Sequence, residues 1–517
     1  MLQTQGLCLR IGVGILLLSL PLAGQCQAEQ PSSSTRNEHQ HTTTELTSFS
    51  PAEKNWLGAS LELSTWLILG TGLYSASSES MKDDFDYEIE GDAAKYFYQR
   101  LTSNDSWKYD DNALGMNWGH AYAGAIYHQS FRNNGFNYYE SVAGTFVAST
   151  IWEVFAEYKE VVSINDQIVT TWGGAVLGES FYQLADMLHT KEGWLPTAFA
   201  WVFNPADTVK RWAGYGKDSR FDRSKSVDIF NLYTGVLHSQ KTASDYSVTS
   251  MLLGMEARID NRKGKTDGFV STPSLVDMNM EAGISQNGIE DWQMHTQVWL
   301  GGYKGHSASN HLATDWAHSF YFGPSTAMEY TSLGTDADED FYAVVNLLGL
   351  SAAANWHNQY INIEFKSDIF GDFSMVKPFA TTDYLAQGRN FWGTKSVIWE
   401  GDYGYAWGHT FNLSFNINID HVTFGMKLKS QRWDSLDDKD MERVALWNPN
   451  VNDLNFEDAR DRYQIYIDYA FNSAISMSLH HEQLNQYGII EGIDNPQIYS
   501  RYDDRQKRTW LRLAYRY

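Results

Sequence analysis

From about residue 245 to the C-terminus, segments of roughly ten residues alternate apolar and polar side chains, the period of a strand with one apolar and one polar face. Phe411, Leu413, Phe415, Ile417 and Ile419 are interleaved with Asn412, Ser414, Asn416 and Asn418, and after Asp420-His421 the apolar set resumes at Val422, Phe424, Met426 and Leu428. A two-residue turn there sets Ile419 opposite Val422 and Ile417 opposite Phe424, so the apolar faces coincide without a slip of register. Ile465, Ile467, Tyr469 and Phe471 pair in the same way, through Asn472-Ser473-Ala474, with Ile475, Met477 and Leu479. A long succession of such strands describes a barrel that is apolar outside and polar inside.

The last segment, Arg508 to Tyr517, puts Leu511, Leu513, Tyr515 and Tyr517 on one face and Arg508, Arg512, Ala514 and Arg516 on the other. It resembles the C-terminal strand of bacterial outer-membrane proteins, and this resemblance implies that the terminal aromatic residue belongs to the signal read by the barrel-insertion machinery. Connections also differ in length: the turns near 371, 420 and 473 read as tight, whereas 385–408, 431–459 and 488–506 read as long. Short turns belong to the periplasmic side of such barrels and long loops to the outside. Counting back from Tyr517, strands near 475, 460, 422, 410, 373, 358, 341, 316, 291, 270 and 247 make about twelve, with fourteen as the alternative if Val227 to Gln240 adds to the count. Glu256, Arg258, Glu364, Lys366, Lys427 and Lys429 fall on the inner face with mixed sign, able to pair with one another or to line a path.

Composition agrees with a barrel. The chain has 19 Trp, 30 Tyr and 26 Phe, which suits aromatic girdles, while its mean hydropathy of −0.42 excludes a protein of many membrane-crossing helices. A formal net charge of −24 argues against nucleic acid as a partner. Residues 1–28 read as a signal peptide, with an apolar run from Ile11 to Leu22 and small residues for cleavage near Cys26-Gln27-Ala28. Lipidation at Cys26 is the weaker reading, since Gln25 stands where a small residue is required. Cleavage after Ala28 removes Cys8 and Cys26 together, which excludes disulfides and cysteine metal sites. Residues 29–50 have Ser and Thr runs and no apolar period, the composition of a disordered leader.

Residues 51–215 change to apolar spacings of three and four, predicting a helical domain with helices at 52–74, 116–131, 140–160, 166–187 and 195–213, ahead of a barrel over 216–517. The whole is an α+β membrane protein. Leu57 to Leu73 is nearly apolar but is interrupted by Glu62 and is short for a span. Polar residues then recur inside small and apolar surroundings: His120, Glu153, Glu157, Asn165, Asp166 and Glu179. Glu153 and Glu157 stand one helical turn apart, Asp166 follows Ser163 as at a helix start, and Gly173, Gly174 and Gly178 permit close helix contact. Buried ionisable groups must be satisfied by one another, so a polar network that fixes helix packing is the first reading of the set. A hydrolytic or lipid-modifying centre, with His120 as base and the carboxylates orienting it or binding a metal, is the second. No Gly-x-Ser-x-Gly elbow or His-Glu-x-x-His helix is present, and no cofactor or resident metal is legible. His128 and Arg132 are expected at the wet end of their helix, and His295, His306 and His311 in a barrel strand and its loop.

The order Asn117-Trp-Gly-His120-Ala-Tyr-Ala-Gly124, Trp152-Glu153, Ser163-Ile-Asn165-Asp166, Gly173-Gly174-Ala-Val-Leu-Gly178-Glu179 and Phe203-Asn-Pro-Ala-Asp resembles an uncharacterised bacterial family that joins such a helical block to an outer-membrane barrel. The resemblance covers about 115–220, is more distantly similar to VanZ-like helical proteins, and implies no particular chemistry. The expectation is an outer-membrane barrel with a helical accessory or plug domain, on the periplasmic side or at the barrel mouth. It would serve envelope structure or passage of a small solute or lipid; the alternative is an envelope-lipid-modifying enzyme. Outer-membrane lipid and lipopolysaccharide are the expected partners, the latter through divalent ions on the acidic loop that holds Asp434, Asp437, Asp438, Asp440 and Glu442.

Overall fold

The computed structural model describes residues 54–517 apart from 77–91, 110–113, 159–160, 216–226, 243–245, 263–266, 271–272, 308–315, 335–338, 392–397, 399–402, 437–453 and 494. The signal peptide and leader, Asp437, Asp438, Asp440 and Glu442 of the acidic loop, and His311 lie outside the described residues. The chain divides into two compact units, Met1–Asn55 and Trp56–Tyr517.

The second unit is built on a closed antiparallel barrel of twelve strands, each bonded to its neighbours in sequence. In order they are β1 (Val227–Lys241), β2 (Ser247–Asp260), β3 (Leu275–Ser285), β4 (Gly288–Trp299), β5 (Ala317–Leu333) and β6 (Asp340–His357). The second half comprises β7 (Ile361–Val376), β8 (Gly404–Ile419), β9 (Val422–Ser435), β10 (Leu454–Ala470), β11 (Ile475–Gly492) and β12 (Tyr499–Arg516). Closure comes from β12 against β1, where Tyr515 pairs with Leu232 and Leu511 with Val236, so neither strand is left as an open edge. Two short strands, Gly268–Val270 and Gly302–Ser307, extend the sheet beyond β5 at the end that carries Tyr517.

The count of twelve holds, with one exchange of members. Val227 to Gln240 is a barrel strand, and the separate strands expected near 358 and 373 are one, β7, which passes straight through Gly371. The tight turn lies at Asn358, whose Oδ1 accepts from the Tyr360 and Ile361 N–H groups at 2.8 and 2.9 Å. Phe370 and Phe373 flank that glycine with strand-like alternation interrupted by Gly-Asp, which imitates a turn in sequence. Elsewhere the pattern sets the register: Ile419 faces Val422, Ile417 faces Phe424, and Tyr469 faces Met477. Asp420 takes the positive φ of 53° that a two-residue hairpin requires.

Inside, the barrel is filled by charge. Across the lumen Lys429 Nζ reaches Glu329 Oε2 at 2.8 Å, Arg462 Nη1 reaches Gln293 Oε1 at 2.6 Å, and Arg508 bridges Glu482 at 3.0 Å and Glu281 at 3.3 Å. These links flank a cavity of about 610 Å³ that Glu256, Arg258, Glu364, Lys366 and Lys427 also line. Toward the end away from Tyr517, Arg460 Nη2 meets Asp340 at 2.6 Å and its Nη1 meets Asp458 at 2.9 Å, beneath the rings of Tyr342 and Trp433. The connection after β7, with the short helix Thr381–Ala386, folds over this mouth: Phe379 N–H donates to Asp458 at 3.0 Å, and Gln387 Nε2 to Ser500 Oγ at 3.0 Å.

The helices are α1 (Trp56–Ala76), α2 (Ala93–Thr102), α3 (Leu114–Arg132), α4 (Tyr138–Ile151), α5 (Ile164–Ile168), α6 (Gly174–Leu188), α7 (Trp194–Phe203) and α8 (Pro205–Trp212), with π-helical turns at Trp152–Ala156 and Val169–Gly173. The helix expected over 195–213 breaks at Asn204 because Pro205 disfavours helical geometry before it; Asn204 Oδ1 then caps α8 at the Asp207 N–H, 3.1 Å away. No described helix is long and apolar enough to cross a membrane.

The helical block does not enter the lumen. Ser180 of α6 bonds Thr296 of β4 at 2.5 Å, and Gly173 packs on Met328 and Val345; on β4 and β5 these residues alternate with the lumen-facing His295, Gln297 and Glu329, so they point outward. Contacts continue along the whole wall, from Phe199 on Phe230 beside Tyr517 to Tyr109 on Phe373 and Tyr405 at the opposite end. The block is therefore an accessory to the outer wall and not a plug, and it lies along the barrel instead of beyond its mouth.

Arg460 supplies a test of the lumen's stability. Removing one partner of a buried, bidentate ion pair costs roughly 3–5 kcal/mol. Arg460→Ala should lower the unfolding free energy in detergent or bilayers by about that amount and reduce the temperature of the heat-induced gel shift. A loss below about 1 kcal/mol would mean that water screens this pair as it does surface pairs.

Candidate functional site

Four of the five ionisable candidates fall into two buried polar groups of the helical block, and Glu157 stands outside both. The first forms where α3, the π turn after α4, and α5 meet. His120 Nε2 lies 3.6 Å from Asp166 Oδ2, and one ligand atom each from His120, Glu153 and Asp166 falls within 4.8 Å of the others. Glu153 is 1% exposed and Asp166 is fully buried, while His120 keeps a partly open side chain.

Local structure fixes each member. Ser163 caps α5, its Oγ accepting the Asp166 N–H at 3.1 Å, and its own N–H donates to Glu153 Oε2 at 3.1 Å. Asn165 Nδ2 donates to Asp166 Oδ1 at 3.2 Å. The short parallel pairing of Trp107–Lys108 with Val162–Ser163 holds Ser163 in place. Arg100 of α2 closes the π turn, its guanidinium donating to the carbonyls of Glu153 at 2.7 Å, Glu157 at 3.1 Å and Val154 at 3.2 Å. The π turn also separates the two glutamates expected on one helical face: Glu153 points inward, and Glu157 ends the turn half-buried at φ −96° and ψ 42°.

The second group is an ion pair. Arg132 Nε and Nη2 grip Glu179 at 2.7 and 3.0 Å, His128 Nε2 approaches the same carboxylate at 3.1 Å, and Gln183 Nε2 donates to it at 2.8 Å. Expectation placed His128 and Arg132 at a wet helix end; they are buried, because α6 is covered on every side and brings Glu179 against them. Gln183 continues the chain of bonds to Asn261 of the barrel at 2.9 Å. Eight residues of α3, roughly 12 Å, separate His128 from His120, so Glu179 stands apart from the His120 group. Glu62, which interrupts the apolar helix α1, accepts from Asn133 and Asn134 at 3.0 Å each and pairs with Lys210. Among the barrel histidines, His295 lines the lumen and His306 pairs with Asp267 at the surface.

Glycine makes the α3–α6 crossing possible. A Cβ on Gly174 would stand 2.5 Å from Gly124 Cα, and one on Gly178 would stand 2.8 Å from the Ala125 carbonyl, so these helices touch backbone to backbone. Gly173 faces the barrel instead, toward Met328 and Val345. Sequence reasoning missed Arg100, whose only signal is a basic residue in the short segment 93–102, and missed the role of His128 and Arg132, whose signal is their four-residue spacing on a small-residue helix.

Comparison with known proteins matches residues 106–206 to a domain of unknown function (DUF3943), a stretch that holds both polar groups. No curated protein matches the chain. Among solved structures, the KdgM porin is similar at 8% identity, over 56% of this chain and 98% of that one, with a TM-score of 0.21. An active-site mutant of outer membrane phospholipase A from Escherichia coli is similar at 8% identity, over 55% and 89%, with a TM-score of 0.23. The outer membrane channel DcaP of Acinetobacter baumannii is similar at 12% identity, over 57% and 99%, with a TM-score of 0.18. At these TM-scores the barrel is established by its own closed hydrogen bonding and not by likeness.

Gly174→Leu should drive a side chain into the α3 backbone and release the helical block from the wall while the barrel keeps its heat-modifiable mobility, seen as new protease cleavage within 114–188. Gly72→Ala, which meets nothing within 4 Å, should leave the cleavage pattern unchanged. Equal sensitivity of the two variants would show that the crossing is not close-packed.

Proposed function

We propose that this chain is an outer-membrane barrel whose helical block is seated in the lipid against the barrel wall, in service of envelope structure. One observation carries the reading: outward residues in the middle of β2 to β5, such as Met255, Met278, Met294 and Met328, are covered, whereas Met251, Leu253, Phe320 and Phe322 nearer the ends of β2 and β5, and outward residues of β9 to β12 such as Phe424, Ile465, Leu479 and Leu513, are bare. The block's own outer side is apolar as well, through Leu61, Ile68, Leu69 and Leu73 of α1 and Phe146 and Val147 of α4. An apolar surface of that extent is unfavourable in the periplasm and favourable beside a barrel's lipid belt. Individual helices need not be apolar all round, because Glu62, Glu179 and Asp166 find their partners inside the bundle.

In this reading Tyr517 and the tight turns 358–360, 420–421 and 471–474 face the periplasm, and the mouth covered by the connection after β7 faces outward. The ion-paired lumen and the covered mouth favour a closed resting barrel, and passage of a small solute or lipid needs those links to part. Outer-membrane lipid and lipopolysaccharide are the proposed partners, with the insertion machinery engaging Leu511, Leu513, Tyr515 and Tyr517. The distant VanZ-like kinship belongs to the same proposal, as a helical block with lipid-facing sides. For the alternative, an envelope-lipid-modifying enzyme, the His120 group is the candidate centre among the described residues.

A spin label at Leu69→Cys in protein reconstituted into bilayers should be relaxed strongly by oxygen dissolved in lipid and weakly by a water-soluble nickel chelate. The reverse order would place the block in water and end the proposal. Leu69→Arg should cost about 2–4 kcal/mol if the position lies near the bilayer centre, against about 0.5 kcal/mol or less for an ordinary surface site.

A further inference from the structure

We propose that His120, Glu153 and Asp166 form a binding site for one divalent transition-metal ion, of the zinc or manganese class. The donor geometry is in place: the three ligand atoms lie within 4.8 Å of one another, and His120 Nε2 and Asp166 Oδ2 are 3.6 Å apart. Nitrogen and oxygen ligands bound at roughly 2.0–2.2 Å around a tetrahedral ion stand about 3.3–3.6 Å from each other.

The ligands are also held as metal ligands are held. Ser163 N–H fixes Glu153 from one side, and Asn165 fixes Asp166 Oδ1, which turns Oδ2 toward the imidazole. Such outer contacts orient ligating carboxylates and raise affinity. The π-helical turn at Trp152–Ala156 redirects Glu153 inward, and Arg100 clamps the carbonyls of that turn, so the backbone irregularity is built in. His120 is 13% exposed in its side chain, which leaves an entry. One imidazole with two carboxylates and no thiolate suits Zn²⁺ or Mn²⁺ over Cu(I), and three protein ligands leave a position for water or a substrate oxygen.

The Glu179 group makes the contrast. There Arg132 takes both oxygens of the Glu179 carboxylate, and the group is an ion pair with a histidine beside it.

The full chain, purified in detergent, stripped with a chelator and carrying His39→Ala and His41→Ala so that no leader imidazole contributes, should bind Zn²⁺ at one equivalent by calorimetry. It should bind Mn²⁺ competitively, with pulsed-EPR nitrogen coupling from a single imidazole. His120→Ala and Asp166→Asn should each weaken binding at least tenfold, whereas His306→Ala should not. Should either ligand variant fail to fold, the nitrogen coupling in the otherwise unaltered chain decides the matter. Absence of stoichiometric binding, absence of that coupling, or binding that survives both ligand variants would overturn the site.

Discussion

Closure of the sheet is the constraint on which everything else in this chain depends. In the membrane setting proposed above, each N–H and C=O must find a partner inside the protein, and a sheet achieves this only by closing. Closure here is the pairing of β12 with β1, Tyr515 against Leu232 and Arg512 against Gly235. Once the ring is closed, strict alternation follows, because every second residue faces in and every other faces out. The same strand β12 then carries Arg508 and Arg512 into an ionic lumen and Leu511 and Leu513 onto the outer surface. No residue between them has a third option.

That alternation also explains how one barrel wall serves two neighbours. Around β9 to β12 outward side chains such as Phe424 and Leu513 remain bare, and in the middle of β2 to β5 outward side chains such as Thr296 and Met328 meet α6 and its companions. Nothing in the strand chemistry need differ for this, since methionine and valine suit lipid and a helix face alike. Met328 abuts the block through its flexible thioether, and Ser180 with Thr296 at 2.5 Å and Gln183 with Asn261 at 2.9 Å add polar fastenings. The α3–α6 contact supplies the rigidity that such a soft interface lacks, through Gly124, Gly174 and Gly178.

How much of this the sequence discloses follows from the range over which each interaction acts. Alternation is local, so the barrel, its inner and outer faces and the pairing of Ile419 with Val422 are legible from the residues themselves. Twelve strands survive an error at Gly371, because a strand split in two is balanced by β1, whose pattern is weak. Local spacing also brings out His120, Glu153 and Asp166 as polar residues in apolar surroundings. It cannot separate them from Glu179, because the partner that decides, Arg132, lies 47 positions away in sequence, beyond the reach of any helical period. Nor can periodicity assign the wall: an outward Met328 reads the same whether lipid or Gly173 lies against it.

Charge inside an apolar envelope gives the three polar systems a common logic. In the lumen, Lys429 with Glu329 and Arg460 with Asp340 are strand-borne and face one another across a fixed diameter, so their pairing is set by the barrel's size, and Asp458, two residues from Arg460 on the same strand, completes the second. In the helical block, Arg132 and Glu179 are brought together by a glycine crossing, and the cost of burying them is recovered only when the helices dock. That makes the pair a condition of assembly more than a source of stability, for a helix of the block left alone in lipid would carry an unmatched charge. The His120 group sits on the same helix roughly 12 Å further along, with carboxylates in excess of imidazole. The block thus holds, on one helix, a pair complete within the protein and, further along, the donor set proposed for a divalent cation.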